Sequence, residues 1–299
     1  MAAKGTVGVI GLGIMGGAMA GNLVRRGFKV VGYDPEASAI ARAKGAGIDT
    51  ASSAEEVVKH ADLVLTSLAS LAAVRETASV ILEHASSARI VIETSTLPLS
   101  EKLAFGDALA AGGHLALDCP VLGTAPHAER AELVIYASGD SEAQSCAQSV
   151  FDAIGKKTFD LGAYGNGTRM KLVNNHMISI YNTAAAETMV LGMKAGLPPQ
   201  MIMDVINAGV TAKVFEFRAP MVAADRYDPP TMKISVWHKD IAAISALAHE
   251  VGAPLPMFDA ARPLYAAALA AGQGDLDTVS TARVLERMAG ITRSPKASS

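Results

Sequence analysis

Val7-Gly8-Val9-Ile10-Gly11-Leu12-Gly13-Ile14-Met15-Gly16, followed by Ala18-Met19-Ala20-Gly21-Asn22-Leu23-Val24, is the stretch that decides the fold. A short apolar run reads as a buried strand, and helical spacing resumes after the glycines as far as Arg25-Arg26-Gly27. Phe28-Lys29-Val30-Val31-Gly32-Tyr33 is a second strand, ending on Asp34, eighteen residues past Gly16. A lone G-x-G-x-x-G is weak evidence. Between a strand and a helix, with an acid at that distance, it points to a dinucleotide site. The first glycine permits the tight turn, the second lets a pyrophosphate approach the backbone, and the third lets helix and strand pack closely. Gly11, Leu12, Gly13, Ile14, Met15 and Gly16 are therefore expected to cradle the cofactor at a helix N-terminus. Asp34 would accept bonds from the ribose hydroxyls and repel a 2′-phosphate, and Pro35-Glu36-Ala37-Ser38 supply no arginine to hold one. NAD is expected over NADP, with Arg25, Arg26 and Lys29 on a solvated surface.

Strand and helix go on alternating. Asp62 to Leu68 and Arg89 to Glu93 read as strands; Ala54 to His60, Ala72 to Leu82 and Leu99 to Ala111 read as helices. This is the pattern of a doubly wound parallel α/β sheet of the Rossmann type, whose ligands sit beyond the carboxyl ends of the strands. Those ends carry Ser67-Leu68-Ala69 and Thr94-Ser95-Thr96, suited to a ribose and a nicotinamide, or alternatively to capping helices. Leu115 to Asp118 is a further strand, and Cys119 to Pro126 is expected to be an irregular loop, being rich in Pro and Gly. A strand over Glu132 to Ser138, a helix over Ser141 to Ile154 and a strand over Lys157 to Asp160 complete the sheet, which closes a cofactor domain of residues 1–163.

From Gly165 to Gly196 the sequence describes one long helix, with a glycine pair in front and Gly196-Leu197-Pro198-Pro199 behind. Its faces are mostly apolar. Lys171 and Asn175 break that pattern four residues apart, hence on one face. A buried lysine is costly without a partner or a task, so this helix is expected to join the two domains with Lys171 facing the cleft between them. Strand signals then disappear, and residues 164–292 read as an all-helical domain before a disordered tail over 293–299. In Trp237-His238-Lys239-Asp240, Lys239 either reaches back to the cofactor or is a solvated lysine at a helix start.

The chain of 299 residues has a net charge of −3 and a pI near 6.2, which leaves no basic footprint for nucleic acid. Two cysteines, Cys119 and Cys146, form no disulfide framework, and a reducing cytoplasm is expected. The first residues lack the basic and apolar regions of a signal peptide, and no apolar run of about twenty residues suggests a membrane span. The seven histidines show no paired metal spacing. An apolar helical domain suggests a homodimer or homotetramer.

The residues resemble the β-hydroxyacid dehydrogenase family, which includes 3-hydroxyisobutyrate dehydrogenases and glyoxylate/succinic semialdehyde reductases. Four segments carry the resemblance: the glycine loop with Met19, Ala20, Asn22 and Leu23; Asp118-Cys119-Pro120-Val121-Leu122-Gly123-Thr124; Gly165-Asn166-Gly167 with Lys171, Asn174 and Asn175; and Lys239-Asp240. The resemblance implies Lys171 as general acid/base, Asn175 as a substrate ligand, Lys239 beside the cofactor, and Ser95 and Thr96 near the nicotinamide. It also implies that Leu122, Gly123 and Thr124 form the substrate loop. There the family's usual Pro-Val-Ser-Gly-Gly has Leu122 for its carboxylate-binding serine and Thr124 for its last glycine, which leaves the Gly123 N–H and the Thr124 hydroxyl to hold an acid group. Ile178 stands where the 6-phosphogluconate dehydrogenase branch carries a carboxylate. The expected activity is NAD-dependent interconversion of a small β-hydroxyacid and its semialdehyde. Lys171 would give a proton to the alkoxide in reduction and take the hydroxyl proton in oxidation, its pKa depressed by burial and by the positive nicotinamide. An NADPH-dependent imine reductase, suited to an apolar Leu122 pocket, and a dinucleotide-binding regulator without chemistry are the alternatives.

Overall fold

The computed structural model describes residues 4–172 without a break, and beyond them 174, 195–198, 201, 205–206, 208, 221–222, 224–230, 233–235, 237–238, 241, 249, 252, 254–288 and 290. By compactness the chain divides into Met1–His176 and Met177–Ser299.

The first unit is built on β1 (Lys4–Ile10), β2 (Phe28–Tyr33), β3 (Asp49–Thr50), β4 (Leu63–Thr66), β5 (Ile90–Glu93) and β6 (Leu115–Asp118). These pair in parallel in the order β3-β2-β1-β4-β5-β6. The helices α1 (Ile14–Arg25), α2 (Ala37–Gly45), α3 (Ala54–His60), α4 (Leu71–His84) and α5 (Leu99–Ala111) supply the crossovers that parallel pairing requires. Successive side chains of a strand face opposite sides. Leu65 and Ile92 therefore join Val7, Val9, Met19 and Leu23 in one apolar core, while Val64 and Val91 join Val57, Val74, Ile81, Phe105 and Leu109 in the other. Helices on both faces make the sheet doubly wound, as its apolar strands predict.

The sheet departs from the all-parallel expectation after β6. β7 (Val121–Leu122) and the five-residue α6 (Ala125–Glu129) lie where an irregular loop was expected, and they return the chain into β8 (Leu133–Gly139). β8 runs antiparallel to both β6 and β7, with Asp118 opposite Ser138 and Leu122 opposite Val134. The turn through α6 is too short for a crossover, so the chain comes back beside the strand it left. Pro126 is tolerated because it sits in the first turn of α6, where its missing N–H is not needed. α7 (Ser141–Ile154) and β9 (Gly155–Asp160), parallel to β8, finish the unit.

Helical structure restarts at 166 and carries Lys171 within this first unit. Most of the long helix expected up to Gly196 lies outside the described residues, as do Asn175, Lys239 and Asp240. In the second unit the described helices are Pro256–Ala270 and Ala282–Met288, with a 3-10 turn at Thr278–Thr281. Ile234, Ala268 and Val284 form a small core there. Among the described residues no helix is long and apolar enough to cross a membrane. Cys119 is fully buried, its thiol pushed far up by burial and then by Asp118, whereas Cys146 is exposed on α7.

Candidate active site

The glycine loop turns from β1 into α1 beneath a cavity of about 440 Å³. Gly11, Gly13, Asp34, Ser67 and Leu68 lie in its wall. Gly16 is there for close approach: a Cβ on it would stand 1.9 Å from the Gly11 carbonyl oxygen. Gly13 is different, because a Cβ there would meet no protein atom within 4 Å. Nothing in the protein's own packing demands a glycine at that position, and its absent side chain leaves the backbone open to the cavity. Gly13 is also the N-cap of α1 and supplies no capping side chain, which leaves first-turn N–H groups for phosphate oxygens. The residues present fit a dinucleotide. Leu12 is buried in the core, Met15 is partly buried against it, and Ile14 is 73% exposed at the head of α1.

Asp34 ends β2 with its carboxylate fixed. Oδ2 accepts from the Leu12 N–H at 2.7 Å and Oδ1 from the Glu36 N–H at 2.9 Å. Each oxygen keeps a lone pair for a further donor. Arg42, on α2, lines the same cavity together with Glu36 and Ser38. The four residues after Asp34 hold no arginine, but the helix beginning at Ala37 brings one back eight residues past Asp34.

Thr94 and Ser95 are not helix caps. The Thr94 hydroxyl donates to the Thr66 carbonyl at 2.7 Å, and the Ser95 hydroxyl accepts from the Leu68 N–H at 2.8 Å. Pro98 occupies the N-cap of α5, and Thr96 is exposed.

Beside β7, where the substrate loop is expected, Lys171 is half-buried and its Nζ donates to the Val121 carbonyl at 2.9 Å. Burial holds its pKa below the ordinary lysine value. Asn174, one turn along the same face, has an amide nitrogen buried without a hydrogen-bond partner. Leu122 is half-buried on β7. The Thr124 N–H donates to His127 Nδ1 at 3.2 Å, and the Thr124 hydroxyl lies 2.9 Å from the same nitrogen. His127 thus shares the Thr124 hydroxyl, one of the two groups expected to hold an acid; the other is the Gly123 N–H.

One cluster was not foreseen. Lys102, on α5, is fully buried and ion-paired to Glu93 and, at 3.0 Å, to Asp118. A signal existed: Lys102, Phe105, Gly106 and Leu109 share the spacing of a buried helix face.

Comparisons with known proteins bear on this geometry. Residues 6–162 match the NAD binding domain of 6-phosphogluconate dehydrogenase, and residues 165–285 match the NAD-binding domain of NADP-dependent 3-hydroxyisobutyrate dehydrogenase. The chain is 32% identical to an L-threonate dehydrogenase of Cupriavidus necator over 93% of its own length and 95% of that protein's. The chain belongs to the β-hydroxyacid dehydrogenase family. It is also 32% identical to glyoxylate/succinic semialdehyde reductase 1 of Arabidopsis thaliana, covering 91% of this chain and 95% of the relative. Among solved structures, the family's 3-hydroxyisobutyrate dehydrogenase from Mycobacterium tuberculosis, determined with L-serine, aligns with a TM-score of 0.67 at 30% identity over 94% of this chain and 99% of that one. An imine reductase from Pseudomonas sp. aligns with a TM-score of 0.82 over 94% and 99% of the two chains; at 21% identity it shares the fold. The protein is an NAD(P)-dependent oxidoreductase of this family.

Proposed function

We propose that the protein interconverts a small β-hydroxyacid and its semialdehyde with NAD, using Lys171 as proton carrier. The observation that carries this reading is the Lys171 amine: half-buried, bonded to Val121 O of the substrate loop, and held by burial below its ordinary pKa. A bound nicotinamide dinucleotide supplies or accepts the hydride. The chain's own groups do the rest. As ammonium, Lys171 gives a proton to the substrate oxygen during reduction; as neutral amine it takes the hydroxyl proton during oxidation. The unpartnered Asn174 amide offers a donor to a substrate oxygen, next to Asn175 in the sequence. The Gly123 N–H and the Thr124–His127 pair supply polar groups for an acid, and Leu122 an apolar wall. The relatives named for L-threonate and for glyoxylate or succinic semialdehyde support this substrate class.

NAD rather than NADP is supported by the carboxylates of Asp34 and Glu36, which together oppose a 2′-phosphate at a rim where Arg42 is the favourable charge. Arg42, and the match of residues 165–285 to the domain of an NADP-dependent 3-hydroxyisobutyrate dehydrogenase, favour NADP. Residues 1–163 as cofactor domain, 164–292 as helical domain, cytoplasmic location and assembly as a homodimer or homotetramer complete the proposal. Lys239 belongs beside the cofactor in it.

Absorbance at the nicotinamide band tests the reading with hydroxyacids, semialdehydes and cyclic imines, each with NAD(H) and NADP(H). Turnover of a hydroxyacid or semialdehyde with NAD(H) is expected. Turnover of imines alone, with NADPH, overturns it, and cofactor binding without any turnover points to a regulator.

A further inference from the structure

Glu93, Lys102 and Asp118 have no access to solvent. Such a cluster seldom adds more stability than apolar side chains of the same volume, because removing three charges from water costs about as much as their attraction returns. What it adds here is geometry, since both carboxylate oxygens of Asp118 also bond the first turn of the helix that holds Lys171. Asp118 Oδ2 accepts from the Thr168 N–H at 2.7 Å and Oδ1 from the Thr168 hydroxyl at 2.8 Å. The Ser138 hydroxyl donates to the Asp118 carbonyl at 3.1 Å and accepts from the Gly167 N–H at 2.9 Å. Gly167 presses on the sheet so closely that a Cβ would stand 2.4 Å from Tyr136 O and 2.5 Å from Asp118 O. The first turn of this helix is therefore fixed along its axis and about it, and Lys171, three residues past Thr168, lies over the anchored face.

The cluster also reaches the opposite way. Glu93 Oε1 accepts from the Ser95 N–H at 2.9 Å, and the Ser95 hydroxyl accepts from the N–H of Leu68, in the cofactor cavity wall. Lys102, pinned between Glu93 and Asp118, ties the ends of β5 and β6 together. We infer that the buried Glu93–Lys102–Asp118 cluster is a positioning unit that sets Lys171 against the cofactor loop, with Thr168 as its contact to the helix. The inference rests on Lys171 carrying the proton.

Thr168→Val, nearly isosteric, removes the hydroxyl bond and touches no charge. The measurements are kcat, KM for the cofactor and the pH profile of oxidation, using the panel member turned over fastest. One hydrogen bond to a charged group is worth a factor of roughly ten. In Thr168→Val, kcat should fall by about that factor while KM for the cofactor stays within about twofold. The rising limb of the profile should move to higher pH, because an amine displaced toward water regains its ordinary pKa. Burial alone lowers the Lys171 pKa, and no charged side chain among the described residues contributes. Thr168→Ser should restore both kcat and the limb. A Thr168→Val enzyme with wild-type kcat and an unmoved limb overturns the positioning role, provided Lys171→Met is inactive; if Lys171→Met is active, it is the acid/base reading that falls. Should Thr168→Val lose its folded circular dichroism, Ser138→Ala, which frees the Gly167 N–H, decides by the same split.

Discussion

Replacing Lys171 by methionine should separate activity from stability. The side chain keeps its length and apolar stem but loses the proton carrier and the bond to Val121 O. General acid–base catalysis contributes about 10²- to 10⁴-fold, so kcat should drop by that factor, about 3 to 5 kcal/mol in barrier. Stability should change by only about 1 kcal/mol or less, because the lost hydrogen bond is offset by relief of a half-buried ammonium. The pH dependence has a definite sign. A lysine whose folded-state pKa lies below its ordinary value costs stability while it is an ammonium, below that folded pKa, and the cost fades as pH rises toward the unfolded value. The variant should therefore compare best with wild type near neutrality and lose the advantage in alkali. Steady-state kinetics in both directions, cofactor titration by fluorescence, and urea unfolding at two pH values read all of this. In oxidation, wild-type kcat should rise with pH through a pKa below that of free lysine. A loss of activity under tenfold, or a fall of several kcal/mol in stability, would refute the reasoning.

Gly13→Ala should fold and melt like wild type, since its Cβ meets no protein atom, yet bind NAD at least tenfold more weakly by fluorescence titration. Lys102→Met should lose about 3 to 5 kcal/mol in urea unfolding, because two buried carboxylates are left without their cation. Leu122→Ser, restoring a hydroxyl donor to the substrate loop, should lower KM for a β-hydroxyacid by roughly tenfold, the worth of a bond to a charged group, with kcat changed less.

Much of the first unit was legible because its signals are local. α3 and α7 begin where sequence reading put them, after Ser53, whose hydroxyl accepts from the Glu56 N–H at 3.2 Å, and Asp140, whose carboxylate accepts from the Ala143 N–H at 2.8 Å. β7 was not legible: two residues become a strand only because β8 passes alongside. α2 escaped notice for a related reason. It follows Asp34 and Pro35 with a weak pattern in which Ala39 and Ala43 alone are buried, and with it went Arg42. The Glu93–Lys102–Asp118 cluster joins residues from two strands and a helix that only folding brings together, though the spacing of Lys102 on its helix gave a local hint. The glycine loop, Asp34 and Lys171 could be named in advance because each breaks a local pattern: a run of glycines, an acid ending a strand, a lysine in an apolar helix.

The contrast between the two thiols has a practical use. A maleimide or iodoacetamide dye needs an accessible thiolate, which Cys119 denies it twice, by enclosure and by a strongly raised pKa. Cys146, facing water on α7, should take the reagent alone, giving a singly labelled, otherwise unaltered chain for tethering or for following ligand-induced motion by fluorescence.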